Sequence, residues 1–206
     1  MLTSCDDSSL VIDWLCDQTK GKNRLVGCFY CESSNTDFDA EAPQQQSTAT
    51  ILGSLLKQMI SGMEKIPEEI SRDFHEQKKA IGGRRPRLQD VVKMLQLITS
   101  SQDTIMCIDA LDECTGVQRC KLLDSLDQIL DRSPRTRIFL TGRSHIRAEV
   151  EKGLVRPVVS ASISPTKSDI IRYLRARLDE DEIPDAMDES LEADILGKVL
   201  ENTSEM

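Results

Sequence analysis

Three stretches limit what this chain can become: "RLVGCFYC" at 24–31, "TIMCID" at 104–109 and "TRIFLTGR" at 136–143. Each is short and apolar, the pattern of a buried strand. Between them the apolar residues recur at helical spacing. "SSLVIDWLCDQT" at 8–19 places Leu10, Val11, Trp14, Leu15 and Gln18 in that period, with Asp6 or Asp7 as the N-cap. "STATILGSLLKQMISGM" at 47–63 does the same with Ile51, Leu55, Leu56 and Met59. Pro67 stands at the favoured first position of a helix running to about Ala80. Leu88, Val91, Val92, Leu95 and Ile98 mark a further helix, and Leu122, Leu123, Leu126, Ile129 and Leu130 another. A short helix at 145–152 and a fourth strand in "VRPVVSAS" complete the pattern, although Pro157 cannot donate to a ladder. From "SPTKSDIIRYLRARLDED" onward only helix is expected. Short strands alternating with helices predict an α/β domain with a mostly parallel sheet. The helical tail reads as the start of a second domain.

Charge and cysteine content narrow the function. The net charge is −9, which argues against nucleic acid as a partner, since phosphate backbones need a basic surface. The basic run "KKAIGGRRPR" at 78–87 contains Gly-Gly and Pro and reads as a solvated loop; the acidic "LDEDEIPDAMDE" at 178–189 reads as a loop between helices. No apolar run has the length of a membrane span, and the first residues lack a signal-peptide pattern. Seven cysteines, an odd number without secretory context, fit reduced thiols and a cytoplasmic location. Cys28 and Cys31 form a C-x-x-C, and Cys114 and Cys120 are a second pair, but positions three apart on a strand face opposite ways. Buried free cysteine is therefore the better reading than zinc.

The chemistry concentrates in "TIMCIDALDEC" at 104–114. Ligands gather at the carboxyl ends of parallel strands. Asp109 stands at such an end, where a carboxylate can hold hydrated magnesium. Asp112 and Glu113 follow within a turn and could orient a water toward a γ-phosphate. The bland alternative is that these acids cap the next helix. Thr141 and Arg143 end the following strand, which would set a hydroxyl and a guanidinium beside the acids on one sheet edge. Other chemistries fit poorly: His75 and His145 are the only histidines, and no G-x-S-x-G elbow is present.

"IMCIDALDEC", followed after roughly 25 residues by "RIFLTGR", resembles the Walker B and sensor 1 of NACHT-type STAND P-loop NTPases. The likeness is strongest to the fungal nephrocystin-type NTPase modules, often fused to ankyrin or WD repeats. Ala110 after the first acid, with Asp112 and Glu113 beyond it, is similar to that family's variant of the motif. "LVGCFYCESS", "ILGSLLKQMI" and "SDIIRYLRARLDED" resemble its second strand, the helix after it and the entry to its helical domain. The resemblance implies magnesium at Asp109, water or metal positioning by Asp112 and Glu113, and a γ-phosphate read by Arg143 with Thr141 beside it. The implied cofactors are Mg2+ and ATP or GTP. The implied role is a signalling switch acting through protein partners or self-association.

One part of the family pattern is missing from these residues. Residues 1–19 contain neither Gly nor Lys, and Gly21-Lys22 leads into Asn23 and Arg24 with no strand before it. No G-x-x-x-x-G-K-[ST] phosphate loop is found. The expected fold is thus a P-loop-NTPase-like parallel sheet with flanking helices, truncated at its N-terminus. Its core would span residues 1–163, with the beginning of a helical domain at 164–206. The family's first strand lies inside the sheet, so its absence is expected to leave a gap between neighbours. Such a chain is expected to bind nucleotide weakly or not at all and to be unstable or aggregated in isolation. The competing readings are a nucleotide-independent scaffold and, less favoured, a magnesium-dependent phosphohydrolase.

Overall fold

The structure, a computed structural model, describes residues 5–19, 24–32, 47–79, 86–164, 166–179, 191, 193–195 and 197–199. The polar loop expected after Cys31, Gly21-Lys22 and most of the basic and acidic runs lie outside these residues. The chain divides into two compact units, Met1–Val158 and Val159–Met206.

Three strands form the sheet of the first unit: β1 (Arg24–Tyr30), β2 (Asp103–Asp109) and β3 (Thr136–Leu140). The order is β1-β2-β3 and every pair is parallel. Arg24 stands opposite Asp103 and Tyr30 opposite Asp109; Thr104 stands opposite Thr136 and Ile108 opposite Leu140. The expected gap is not there. β2 is hydrogen-bonded directly to β3 along the whole of β3, because backbone donors and acceptors left open in a buried sheet must find partners.

Side chains alternate across the sheet as the two-residue period demands. Leu25, Met106, Ile108, Ile138 and Leu140 join one large core with helices α2 (Thr48–Ser61), α4 (Leu88–Ser101) and α5 (Gly116–Asp131). Leu52, Leu55, Leu95, Leu122 and Leu126 are completely buried there. Gly27 lets α2 press close, since a Cβ at this position would sit 3.3 Å from a methyl of Leu55. Gln58 of α2 also covers the outer edge of β1. Its carbonyl oxygen accepts from the Cys28 N–H at 2.9 Å and its amide donates to the Cys28 carbonyl at 2.7 Å. An exposed strand edge is thereby satisfied without another strand.

The opposite face carries α1 (Cys5–Thr19) and a much smaller cluster of Ile12, Ile105 and Cys107, with Leu15, Val26, Cys28 and Phe139 partly buried beside them. Two expectations fail here. The helix begins at Cys5, so Asp6 and Asp7 lie within it and do not cap it. Its buried stripe runs through Ile12 and Leu15, while Leu10 and Trp14 are 67% and 60% exposed. A single helix over a narrow sheet can bury only one stripe, and here the aromatic side falls outside it.

Helix α3 (Glu68–Lys79) forms where expected, but Pro67 stands just before its first residue, with its carbonyl accepting from the Ser71 N–H at 3.1 Å. Thr115 and Gln118 cap α5 reciprocally. A 3-10 turn at Ser144–Ile146 leads into α6 (Arg147–Gly153). The expected fourth strand is absent: residues 154–160 form no ladder. Val155 and Arg156 bond to α5 instead, the Val155 N–H donating to Asp127 at 2.9 Å and the Arg156 guanidinium to the Leu130 carbonyl. Pro157, which lacks a donor, suits this unpaired run.

In the second unit, α7 (Lys167–Asp179) opens with a reciprocal cap. The Thr166 hydroxyl accepts from the Asp169 N–H at 3.2 Å, and the Asp169 carboxylate accepts from the Thr166 N–H at 3.0 Å. Further helical residues lie within 191–199.

Candidate functional site at the carboxyl edge of the sheet

Asp109 is the last residue of β2 and is 2% exposed. Its Oδ1 accepts a hydrogen bond from the Thr141 hydroxyl, and that hydroxyl accepts from the Ala110 N–H at 2.9 Å. The backbone repeats the connection: the Thr141 N–H donates to the Ile108 carbonyl at 3.1 Å and the Leu111 N–H to the Thr141 carbonyl at 2.9 Å. Thr141 thus extends the β2–β3 pairing past the sheet and fixes the Asp109 carboxylate.

The chain then turns sharply. Ala110 has φ 53 and ψ 47, the left-handed region that an L side chain enters at a cost. This turn throws Leu111–Glu113 into a 3-10 turn, with Leu111 in the core and the two acids at the edge. Gly142 passes close over it; a Cβ there would stand 3.2 Å from Asp112 Oδ1 and closer still to Ile146.

Arg143 meets both acids. Its N–H donates to Asp112 Oδ1 at 3.2 Å, and its Nε lies 3.3 Å from Asp112 Oδ2. Its terminal nitrogen lies 3.4 Å from Glu113 Oε1. The Asp112 side chain is nearly enclosed, whereas Arg143 is 64% exposed. All five residues expected at the site therefore converge in two groups: Asp109 with Thr141, and Asp112 and Glu113 with Arg143. His145 is exposed in the next turn.

Oxygen donors suit magnesium, which holds most of its waters and needs one or two carboxylates from protein. Asp109 supplies one such carboxylate, and the Thr141 hydroxyl, already bonded to it and to the Ala110 N–H, orients it. Among the described residues no group of three His, Cys, Asp or Glu is placed to hold a metal by protein ligands alone. Both Asp112 oxygens are engaged by Arg143, so Asp112 is committed to positioning this arginine, and Glu113 is the freer acid.

Two features of the site had no signal in the sequence. Arg119 of α5 braces the acid turn from behind, donating to the Cys114 carbonyl at 2.8 Å and pairing with Glu149 of α6 at 2.8 Å. This bond holds the Glu149 carboxyl below the usual glutamate range. The second is a buried thiol pair. Neither cysteine pairing suggested by spacing forms; Cys31 instead meets Cys114, with sulfurs 3.5 Å apart. The Cys31 thiol is pushed up by its hydrogen bond to Cys114 and by burial, and Cys114 is drawn down by the same bond with Arg119 adding to it. Cys107, on the α1 face, is pushed up to about 12 by burial.

The chain is thus a parallel α/β domain whose central strand ends in a carboxylate fixed by Thr141, with Arg143, just past the neighbouring strand, on the two acids that follow. Residues 8–143 match the family described as Nephrocystin 3, N-terminal, and the chain belongs to that family. No curated protein and no solved structure matches it. Among the described residues no helix is long and apolar enough to cross a membrane.

Proposed function

We propose that this chain is part of a NACHT-type STAND switch whose carboxyl-edge site responds to magnesium-bound ATP or GTP. The observation that supports this most is the Asp109–Thr141 pair at the end of the central strand, beside an arginine held by two further acids. In this reading Asp109 would hold magnesium, and the ion would supply charge neutralisation for the phosphates. Arg143 exchanges its acids for the terminal phosphate, and Glu113, so released, orients a water. No G-x-x-x-x-G-K-[ST] stands in the sequence to aim backbone N–H groups at the phosphates, so affinity within these residues is low. Protein partners or self-association carry the output.

The test is calorimetry of the chain with Mg-ATP. Binding is expected in the millimolar range, lost in EDTA and weakened about tenfold, or about 1.4 kcal/mol, in Asp109→Asn. Affinity unchanged by EDTA or by this substitution would overturn the role of Asp109.

A second reading is a nucleotide-independent interaction module. The direct β2–β3 pairing favours it, since no slot remains between these strands for another that could carry a phosphate loop. Complete absence of magnesium-dependent binding would select it.

A further inference from the structure

The thiols of Cys31 and Cys114 play no part in the nucleotide reading. Cys31 lies one residue past β1, and its N–H continues the ladder by donating to the Asp109 carbonyl at 3.0 Å. Cys114 closes the acid turn, with its N–H on the Leu111 carbonyl at 3.2 Å and its carbonyl held by Arg119 at 2.8 Å. Both backbones are therefore fixed where the sulfurs meet, and both side chains are buried. From 3.5 Å the sulfurs need to close by roughly 1.5 Å to reach a disulfide. The other described cysteines lie elsewhere: Cys28 and Cys107 belong to the α1 face, Cys16 is exposed on α1, and the Cys120 thiol donates to Glu149.

We propose that Cys31 and Cys114 are an oxidation site that forms a reversible disulfide with a peroxide as oxidant, tying the end of β1 to the turn that carries Asp112 and Glu113. In the first step Cys114, beside Arg119, attacks hydrogen peroxide. The O–O bond breaks, a sulfenic acid forms and one water leaves. In the second step the Cys31 sulfur attacks the sulfenic sulfur. The S–S bond forms, the S–O bond breaks, and hydroxide leaves with the Cys31 proton as a second water. Two thiols lose two electrons in total and one peroxide gains them. A dithiol reverses the reaction by exchange. The site does not depend on nucleotide binding.

The test uses the whole chain, treated under native conditions with stepwise hydrogen peroxide. Remaining thiols are then alkylated in denaturant, and the protein is digested without reduction by trypsin and chymotrypsin. Chymotrypsin separates Cys31 from Cys28 after Tyr30, and Cys114 from Cys107 after Leu111. Mass spectrometry is expected to find the Cys31 peptide joined to the Cys114 peptide at lower peroxide than any other pair, and dithiothreitol should remove the link. In Cys31→Ala, Cys114 should be trapped as a sulfenic acid. The proposal is overturned if Cys31 and Cys114 are recovered alkylated while Cys16 or Cys120 is oxidised, or if either is joined to a different cysteine. The wild-type digest decides this whether or not a variant folds.

Discussion

Thr141 is the residue on which the edge depends most. Its hydroxyl donates to a buried carboxylate and accepts from the Ala110 N–H, so Thr141→Val leaves a buried carboxylate and a partly buried N–H without this partner. A loss of about 1–3 kcal/mol is expected in urea unfolding, with Thr141→Ser recovering most of it. Ala110 tests the left-handed turn. Ala110→Gly relieves strain but adds backbone entropy to the unfolded chain, and the two effects, each about 1 kcal/mol, nearly cancel. Ala110→Val, branched at φ 53, should destabilise clearly in the same assay. Equal stability of the Gly and Val variants would show that the turn is not strained.

The elements around the site are held by caps and by one buttress. Removing the Thr115 side chain from the start of α5 with Thr115→Ala should cost about 1 kcal/mol, read from a denaturation midpoint. The buttress is the Arg119–Glu149 link between α5 and α6. The Glu149 folded value lies below its unfolded one, so its contribution is present above about pH 4.5 and is lost as pH falls through the folded value. Glu149→Gln should therefore be less stable than the parent at neutral pH, and the difference should shrink in acid. A difference that stays constant from pH 7 to pH 3 would remove the link from the account.

Across the whole first unit, burial is lopsided. The face under α2, α4 and α5 holds the large core, while α1 covers only a small cluster. Leu126→Ala, at a fully buried position, should cost about 2–5 kcal/mol. Leu10 and Trp14 project from α1 into solvent, and apolar surface of this kind promotes association. The paired change Leu10→Lys and Trp14→Glu should reduce self-association in size-exclusion chromatography without lowering the melting temperature. A melting temperature that falls by many degrees would mean that these side chains are packed.

Strand–helix alternation, strand positions and the acid-ended motif were legible in the residues, because a two-residue or a 3.6-residue apolar period is a local property of the chain. The candidate site was legible for the same reason: Asp109, Asp112, Glu113, Thr141 and Arg143 all lie at or just past strand ends, and parallel strands bring such ends to one edge. Tertiary structure alone decided the rest. Only hydrogen bonding between distant segments could pair β2 with β3 and leave 155–160 out of the sheet. Only the packed sheet could select Ile12 over Trp14 as the buried side of α1. The Cys31–Cys114 contact joins positions 83 residues apart, and no local spacing encodes a meeting that depends on where β1 ends relative to the turn after β2.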